Sequence, residues 1–560
     1  MKSRLPDLDH DRRIALPRIV ALIVAVLFPL GSSLSPLTGQ QSAGARAANA
    51  VAANVMRAHL EFLGDDALEG RAPGTRGGLI AAKYIAAQFE RLGLAPAGDS
   101  GTYYHEVPVI ALTPTPQVTV VAGGETPLEF KRDYVLWSMQ DDSLVSVAGD
   151  LVFAGYGIVA PEYGWNDYEG LDVKGKVVVV LVNTPGLRDS TLFKGKVLTY
   201  YGRWTYKIEE AERQGAAGIL MVHTPESATY GWATVTGSWT GPQTRVARKP
   251  GPLMVAGWLS QDAADRLLQA GGGLGSLTDA ASRHGFKGVP LNARLGATVR
   301  STVRRLKTYN VLARLPGRGP KAVEAVIIGA HYDHLGISLP VNGDSIYNGA
   351  LDNASGTAAM LAAAEAFVRS GVHTSRSLVF MAFAAEESGL LGSTAYAARP
   401  TIPLKDIAAV LNMDVMNLFG RTRDIAALGL DQSSLGRLFT AAARQEGLRV
   451  ITNQDALIKG AFFRSDHFPF ARAGVPALSL QKGLDFVGRP AGWGQQQEDD
   501  YTANRYHQPS DELLPWYTYD GAVQQDRVIV RTAVAVAEGP AQPAWNKGSE
   551  FEAAGKGRLQ

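Results

Sequence analysis

The sequence predicts an α/β protein, and three observations support this fold class. From about residue 291 onward, short apolar strands alternate with apolar or Ala-rich helices, which is typical of layered α/β folds. The 560 residues are 46% hydrophobic, and 55 basic residues nearly balance 53 acidic ones, so the chain can bury a large core. The length exceeds that of one typical domain and predicts two or three.

The N-terminal segment has the pattern of an export signal. Basic residues occur between positions 2 and 18, and an apolar run of 12 residues follows from 19 to 30. Such a run fits a signal-peptide core and is short for a membrane span. Because small-residue cleavage sites follow at 45–50, we assign residues 1–47 to the signal and expect a periplasmic or extracellular protein. An uncleaved anchor is the alternative.

The first part of the mature chain is predicted to change from helices to strands. Helical spacing of apolar residues covers 51–93 and is interrupted by a Gly/Pro/Arg loop at 68–78. Strands are predicted at 118–122, 150–154, 176–182 and 217–222, with a helix at 207–214. The glycines at 271–273 resemble a linker.

The second part carries the clearest strands and helices. Strands are predicted at 325–329, 378–383, 407–413 and 476–480, because these short runs are mostly apolar and alternate with helical segments. The segment 354–369 is an Ala-rich helix, and 521–538 is a closing helix. Residues 541–560 are polar, and we expect a flexible tail.

Composition excludes several classes of site. The chain has no Cys, so disulfides, thiolate zinc sites, iron–sulfur clusters and a Cys nucleophile are impossible. The net charge of +2 gives no case for nucleic-acid binding. Two Gly-rich segments at 155–160 and 170–176 resemble nucleotide-binding loops, but Pro161 follows the first and Val177 replaces the required hydroxyl in the second. Both are interpreted as turns.

Histidines and carboxylates follow the predicted strands of the second part. His331 and Asp333 come after the first strand, and alternation places them on one side, so that Asp333 can orient the imidazole of His331. The other members of the series are Asp352, Glu386, Glu387, Asp414 and His507. Each alone is more typical of a cap, a turn or a solvated surface. Their coincidence at strand ends favours a shared site.

This donor set suits a two-metal hydrolase. Two divalent ions need a bridging carboxylate together with further oxygen or imidazole ligands. A further carboxylate must stay free to act as a base, and neighbours such as Glu386 and Glu387 face apart on an extended segment. The sequence therefore predicts a sulfur-free metal centre with an adjacent general base.

Five segments resemble the motifs of metallopeptidase family 28, which includes bacterial di-zinc aminopeptidases and glutamate carboxypeptidases. They are HYDHLG at 331–336, DNASG at 352–356, EESG at 386–389, NMD at 412–414 and YHQPSD at 506–511. Residues 60–78 resemble the N-terminal segment of exported members, and 140–275 resemble a protease-associated domain. The resemblance implies a mixed central sheet flanked by helices, of the zinc-exopeptidase type, with an inserted, mostly β domain.

The same resemblance implies domain bounds. These are a signal at 1–47, an N-terminal part of the peptidase domain at 48–115 and a protease-associated insert at 116–290. The zinc peptidase domain then covers 291–540, and a tail covers 541–560.

The resemblance also implies residue roles. Two zinc ions per chain would be held by His331 and Asp414, by Glu387 and His507, and by Asp352 as the bridge. Glu386 resembles the general base, and Tyr506 resembles the donor that steadies the tetrahedral intermediate. Asp333 resembles the residue that orients His331. Three further residues resemble the substrate border: Ser465, Asp466 and His467.

The expected function is that of an exported aminopeptidase acting on peptides, without nucleic-acid partners and without stable membrane association once the signal is removed. A carboxypeptidase needs cations for the terminal carboxylate of its substrate. Arg464 and Arg472 lie near the substrate border, while the acidic stretch 498–500 precedes His507. A carboxypeptidase or dipeptidase of the same family is therefore the alternative, and a glutaminyl cyclase or a non-catalytic relative is favoured less.

Overall fold

The computed structural model describes residues 41–121, 125–228 and 230–560, so most of the predicted signal lies outside the described residues. Within these ranges the helices are α1 Ala43–Asn49, α2 Ala53–Leu63, α3 Arg76–Arg91, α4 Trp204–Arg213, α5 Pro225–Ala228, α6 Trp232–Trp239, α7 Gln261–Leu268, α8 Gly273–Ala281, α9 Ser355–Ser370, α10 Leu391–Ala398, α11 Leu435–Gln445, α12 Gln454–Ile458, α13 His467–Arg472, α14 Trp493–Asn504, α15 Asp520–Glu538 and α16 Glu552–Arg558.

The strands in the same ranges are β1 Ala95–Pro96, β2 Tyr104–Val121, β3 Glu125–Thr126, β4 Tyr134–Ser138, β5 Leu144–Phe153, β6 Val159–Ala160, β7 Trp165–Asn166, β8 Val177–Leu181, β9 Gly218–Val222, β10 Gln243–Val246, β11 Val255–Leu259, β12 Val289–Leu315, β13 Ala325–His331, β14 Gly336–Val341, β15 Asp344–Tyr347, β16 Ser377–Phe383, β17 Ile407–Met413, β18 Asp424–Leu428, β19 Arg449–Ile451 and β20 Ala477–Gln481.

A mixed sheet forms the centre of the second part and confirms the predicted fold class. Its order is β19-β18-β20-β17-β13-β16-β12, with β20, β17, β13 and β16 parallel and with β18 and β12 antiparallel to their neighbours in this sheet, β20 and β16. Every residue of β13, β16 and β17 is buried, as expected for parallel strands covered on both faces. The predicted strands at 325–329, 378–383, 407–413 and 476–480 all lie within these elements or overlap them.

Helices cover this sheet on the side of the largest apolar cluster. The Ala-rich α9 and the long α15 contribute Met360, Phe367, Val528 and Ile529 to that cluster. Small side chains let α9 lie close to the sheet, and Gly371, with φ 61°, ends it in the left-handed conformation. The start of α9 is thereby fixed above the carboxyl ends of the parallel strands.

The long strand β12 joins this sheet to a second set of strands. Its last residues pair with β16, whereas its first half pairs with β5, and the order continues β5-β8-β9-β11-β4. Along most of its length β12 also pairs with β2. The segment 116–290 therefore extends the central sheet, and it contains helices α4 to α8 as well as strands. The glycines at 271–273, which resembled a linker, form the turn between α7 and α8.

Both ends of the described chain pack more closely than the sequence predicts. Residues 43–47, assigned to the signal, belong to α1, whose Ala47 and Ala48 are fully buried, with α1 packed against α15. The tail at 541–560 was expected to be flexible, but Trp545 and Phe551 are buried and Trp545 donates to the carbonyl of Gly474 at 2.9 Å. Aromatic side chains explain this packing, since they bury much apolar area within a polar segment. No helix among the described residues is long and apolar enough to cross a membrane.

Candidate metal centre and active site

The carboxyl ends of three parallel strands place the predicted site residues at one edge of the sheet. His331 ends β13, Glu386 and Glu387 follow β16, and Asp414 follows β17. Two residues with positive φ turn the chain immediately after the strands, Ala385 at 56° and Val415 at 62°. A β-branched residue is strained in this conformation, and such strain is typical of functional sites.

Asp352 lies at the centre of this edge, in the turn before α9. Its Oδ1 is 3.4 Å from Nε2 of His331, and its Oδ2 is 3.4 Å from Nε2 of His507. The peptide bond between Asp352 and Asn353 is cis. Each of the two carboxylate oxygens of Asp352 therefore faces a different histidine. This is the arrangement that a bridging ligand requires.

The remaining predicted ligands complete two groups around Asp352. Nε2 of His331 is 3.4 Å from Oδ1 of Asp414, and Nε2 of His507 is 3.0 Å from Oε2 of Glu387. Ser465 fixes the first group, because its hydroxyl donates to Oδ2 of Asp414 at 2.7 Å. The structure thus brings together all five residues that the motifs predicted as ligands.

His334 is a member of the second group that the sequence reasoning missed. It is 1% exposed, and its Nδ1 lies 2.8 Å from Oε1 of Glu387. Alternation along an extended strand would direct residues 331 and 334 to opposite faces, but β13 ends at His331 and the chain turns there. The sequence signal that could have identified His334 is its place as the second histidine of the HYDHLG segment.

The predicted role of Asp333 needs a correction. His331 Nδ1 lies 3.2 Å from the main-chain carbonyl of Asp333, whereas the Asp333 carboxylate is farther away, at 3.9 Å. That carboxylate accepts hydrogen bonds from the main-chain N–H groups of Glu386, at 3.1 Å, and Glu387, at 3.4 Å. Because the chain leaves the strand at this point, the carboxylate turns toward the loop after β16, and it positions the two glutamates more directly than the imidazole.

Two further residues hold the backbone around Asp352. The Asp511 carboxylate accepts hydrogen bonds from the N–H groups of Leu351 and Asp352, both at 3.0 Å. The fully buried Arg71 donates to the carbonyl oxygens of Tyr332, Asn348 and Gly349, and to that of Leu63. These contacts join three segments that are distant in sequence, and no local pattern predicts them.

The titration of the site reflects a concentration of carboxylates. Burial would lower the pKa of His507, but the carboxylates of Asp352 and Glu387 raise it to about 10. Burial raises the pKa of Glu386, and the neighbouring carboxylates of Glu387 and Asp414 raise it further, against a lowering by His331. The site is therefore rich in negative charge that favours bound cations.

The donor set fits two divalent metal ions. The ligand atoms of His331, Asp352 and Asp414 lie within 4.8 Å of one another, and so do those of His334, Asp352 and Glu387. Nε2 of His507, Oε1 of Glu387 and both ring nitrogens of His334 are buried, and none of them makes a contact with hydrogen-bond geometry within the described chain, although two ion-pair contacts among them are as short as 2.8 and 3.0 Å. Imidazole and carboxylate ligands without sulfur suit zinc. Metal ions held by these groups would give the buried atoms a partner.

Comparison with known proteins places this geometry in a family. Residues 310–523 match the family model described as "Peptidase family M28". This part of the chain belongs to peptidase family M28. The leupeptin-inactivating enzyme 1 of Streptomyces exfoliatus is 31% identical over 209 residues, covering 37% of this chain and 43% of the relative. Leucine aminopeptidase 1 of Aspergillus niger is 25% identical over 257 residues, covering 44% and 59%.

These matches cover between about two fifths and three fifths of the curated relatives' own length. Among solved structures, an aminopeptidase from Aneurinibacillus sp. strain AM-1 aligns with 89% of this chain and 97% of its own, with a TM-score of 0.44 and 20% identity.

The M28 site opens into a cavity of about 1140 Å³. Glu386, Asp352, Asp414 and Tyr506 line it, and the segment 116–290 contributes Arg203, Trp204, Thr205 and Glu209 to the lining. Tyr506 is 44% exposed and stacks on His507 with ring centroids 3.9 Å apart. The two residues predicted to act directly in catalysis, Glu386 and Tyr506, thus both face the cavity.

The predicted substrate border is only partly correct. Ser465 lines the cavity, but Asp466 and His467 are fully buried behind it. The ring of His467 packs edge-on against Phe462, with centroids 4.7 Å apart. His467 begins the short helix α13, whose inner face is covered by apolar side chains, so the side chain points into the core and not into the cavity.

Proposed function

We propose that this chain is an exported di-zinc aminopeptidase that removes N-terminal residues from peptides. The observation that carries the proposal is the pair of ligand groups that share Asp352 and open into a cavity lined by Glu386. The names of the matched relatives, among them leucine aminopeptidase 1, support the same activity. The basic and apolar pattern of residues 2–30 supports export.

One zinc ion would be held by His331, Asp352 and Asp414, and the other by Asp352, Glu387 and His507. Bound zinc polarises a carbonyl group and lowers the pKa of water. Within the chain, the Ser465 hydroxyl holds Asp414 in place, and Asp511 holds the turn that carries Asp352. These contacts keep the ligands in position before substrate binds.

Glu386 is the general base of the proposed reaction. Its carboxylate accepts a proton from the attacking water and passes it to the leaving amine. The Asp333 carboxylate accepts a hydrogen bond from the main-chain N–H of Glu386 at 3.1 Å and so helps to fix the position of the base. Tyr506 faces the same cavity and donates its phenolic proton in a hydrogen bond to the carbonyl oxygen as negative charge develops there.

We infer that the segment 116–290 is the protease-associated insert, and that an export signal lies at the N-terminus. Because α1 packs against α15, the cleavage site is expected before α1 and not at residue 47.

The test is hydrolysis by the full chain loaded with zinc. We expect release of leucine from a free peptide such as Leu-Ala-amide, and little release from the N-acetylated peptide. Metal analysis should give two zinc ions per chain. A preference for the blocked peptide would contradict an aminopeptidase, and one or no zinc ion would contradict the shared bridge.

The variant Glu386→Gln distinguishes loss of the general base from loss of a metal ligand. We expect full zinc content and a loss of turnover of roughly 10²–10⁴-fold, since the amide cannot accept the proton. Glu552→Gln is the matched control, because Glu552 pairs with Lys556 at the exposed C-terminal helix. Retained activity in Glu386→Gln would exclude Glu386 as the base.

A further inference from the structure

The cavity in front of the M28 site carries five cationic side chains, and three of them are paired. Lys459 lies 2.7 Å from Asp455, Arg472 pairs with Glu209, and Lys482 lies 2.6 Å from Glu498. The other two cations that line the cavity are Arg203 and Arg464. Neither forms an ion pair with any carboxylate of the described chain.

Arg203 is a partly buried cation without compensation. It directly precedes α4, and its Nε is fully enclosed without a hydrogen-bond partner among the described residues. Burial, together with the nearby charge of Arg464, lowers the pKa of Arg203 to about 10. No carboxylate is among the groups that shift the pKa of Arg203. A buried cation without a counterion is costly, so this arrangement favours an external anion.

Arg464 places this pair of cations next to the reacting groups. It directly precedes Ser465, whose hydroxyl donates to the Asp414 carboxylate at 2.7 Å. Arg464 is exposed to the cavity, and its charge is close enough to affect the pKa of Arg203. The two guanidinium groups therefore face one region of the same cavity, one from each part of the chain.

The helix that follows Arg203 is anchored to the M28 region. Glu209 on α4 pairs with Arg472 at the end of α13, and the hydroxyl of Tyr200 donates to the same Glu209. The main-chain N–H of Tyr200 also donates to Glu550 at 2.7 Å. These contacts on both sides of Arg203 fix its position relative to Arg464.

We propose that Arg203 and Arg464 form a carboxylate-binding subsite for the peptide substrate. This inference rests on the proposed function and adds a substrate class to it: peptides that carry a carboxylate close to the bond that is cleaved. Guanidinium groups bind carboxylates through paired, charge-assisted hydrogen bonds. The carboxylate comes either from the C-terminus of a dipeptide or from an acidic side chain.

Equilibrium binding to the Glu386→Gln protein loaded with zinc tests the subsite without turnover. We expect Leu-Ala to bind roughly 10- to 100-fold more tightly than Leu-Ala-amide, the range for one charge-assisted pair. Leu-Glu-amide distinguishes the two sources. Tight binding of this amide identifies a side-chain carboxylate, whereas weak binding together with tight Leu-Ala binding identifies the C-terminus. Equal binding of all three ligands would overturn the proposal.

Substitutions assign the effect to the two arginines. In Arg203→Gln and in Arg464→Gln, the preference for the carboxylate ligand should fall to near one, and Arg203→Lys should retain part of it. Lys459→Gln is the matched control, because it removes a paired cation from the same cavity, and the preference should persist. A preference that persists in both arginine variants would contradict the subsite.

Arg464 is exposed, so its variant tests the inference even if Arg203→Gln fails to fold. If the proposed function is wrong, the result differs. The unsubstituted chain then hydrolyses none of the peptides, while the difference in binding between Leu-Ala and its amide remains measurable.

Discussion

Arg71 provides the sharpest test of how distant segments hold this site. The side chain is fully buried and donates to the carbonyl oxygens of Tyr332 at 2.7 Å, Asn348 at 2.6 Å and Gly349 at 2.9 Å, as well as to that of Leu63. Burial lowers the pKa of Arg71 to about 10, and the nearby carboxylates of Asp333, Asp511, Asp352 and Glu387 oppose this. The group thus remains charged at neutral pH and fixes the chain next to the predicted ligands His331 and Asp352.

The magnitude follows from the number of acceptors. Each hydrogen bond from a charged donor contributes about 1.5–3 kcal/mol, and these contributions are not additive. Arg71→Met leaves four buried carbonyl groups without this donor, so we expect a loss of about 4 kcal/mol or more in the free energy of unfolding. With an unfolding entropy of about 2 cal/mol/K per residue over roughly 500 residues, this corresponds to a fall in Tm of about 4 °C.

The assay compares Arg71→Met with a buried arginine remote from the site. Arg376 is 1% exposed and donates to the carbonyls of Val536, at 2.9 Å, and Gly539, at 2.7 Å. Both variants should melt earlier than the unsubstituted chain. At 25 °C, where both remain folded, kcat should fall at least about tenfold only in Arg71→Met, because the ligand turns are displaced. A Tm for Arg71→Met within about 1 °C of the unsubstituted chain would refute the reasoning.

Two further measurements follow from the geometry. His334→Gln should lower zinc affinity without changing the number of histidines per zinc ion in X-ray absorption, because Nδ1 of His334 lies 2.8 Å from Oε1 of Glu387 and positions that ligand; fewer histidines per zinc ion would contradict this and make His334 itself a ligand. Burial lowers the pKa of His467 from 6.5 to about 3, so the unfolded chain takes up a proton that the folded chain does not. The free energy of unfolding should therefore fall by up to about 1.4 kcal/mol per unit as pH drops from 6.5 toward 3, and it should fall less in His467→Phe; parallel pH profiles would contradict this assignment.

The parallel strands and the predicted ligands could be recognised from the sequence for the same physical reason. Strands covered on both faces are continuously apolar, so β13, β16 and β17 stand out in the sequence. The polar residues that follow such strands must then meet at one edge of the sheet. This reasoning requires no knowledge of loop conformation, and His331, Glu387 and Asp414 lie together as expected.

The features that the sequence did not indicate depend on long-range contacts. The alternating pattern of β12 is regular only from Val289 to Arg300, and its length of 27 residues becomes evident only when β2, β5 and β16 pair with it. Arg71 binds carbonyl groups more than 260 residues away. A main-chain carbonyl carries no information about residue type, so no motif marks these partners. The packing of the tail likewise depends on where Gly474 presents its carbonyl to Trp545.

The continuity of β12 has a consequence for substrate selection. One strand pairs with β16, which leads into Glu386, and with β5, which begins the sheet of the segment that carries Arg203. Backbone hydrogen bonds along a strand resist sliding because every side chain would change faces on a shift of one residue. The distance between the general base and the proposed carboxylate subsite is therefore set by the sheet, and the Glu209–Arg472 pair fixes it from the opposite side. A subsite held in this way selects substrates by the spacing between the cleaved bond and the carboxylate. Peptides whose carboxylate is moved by one residue should lose the advantage that the two arginines give.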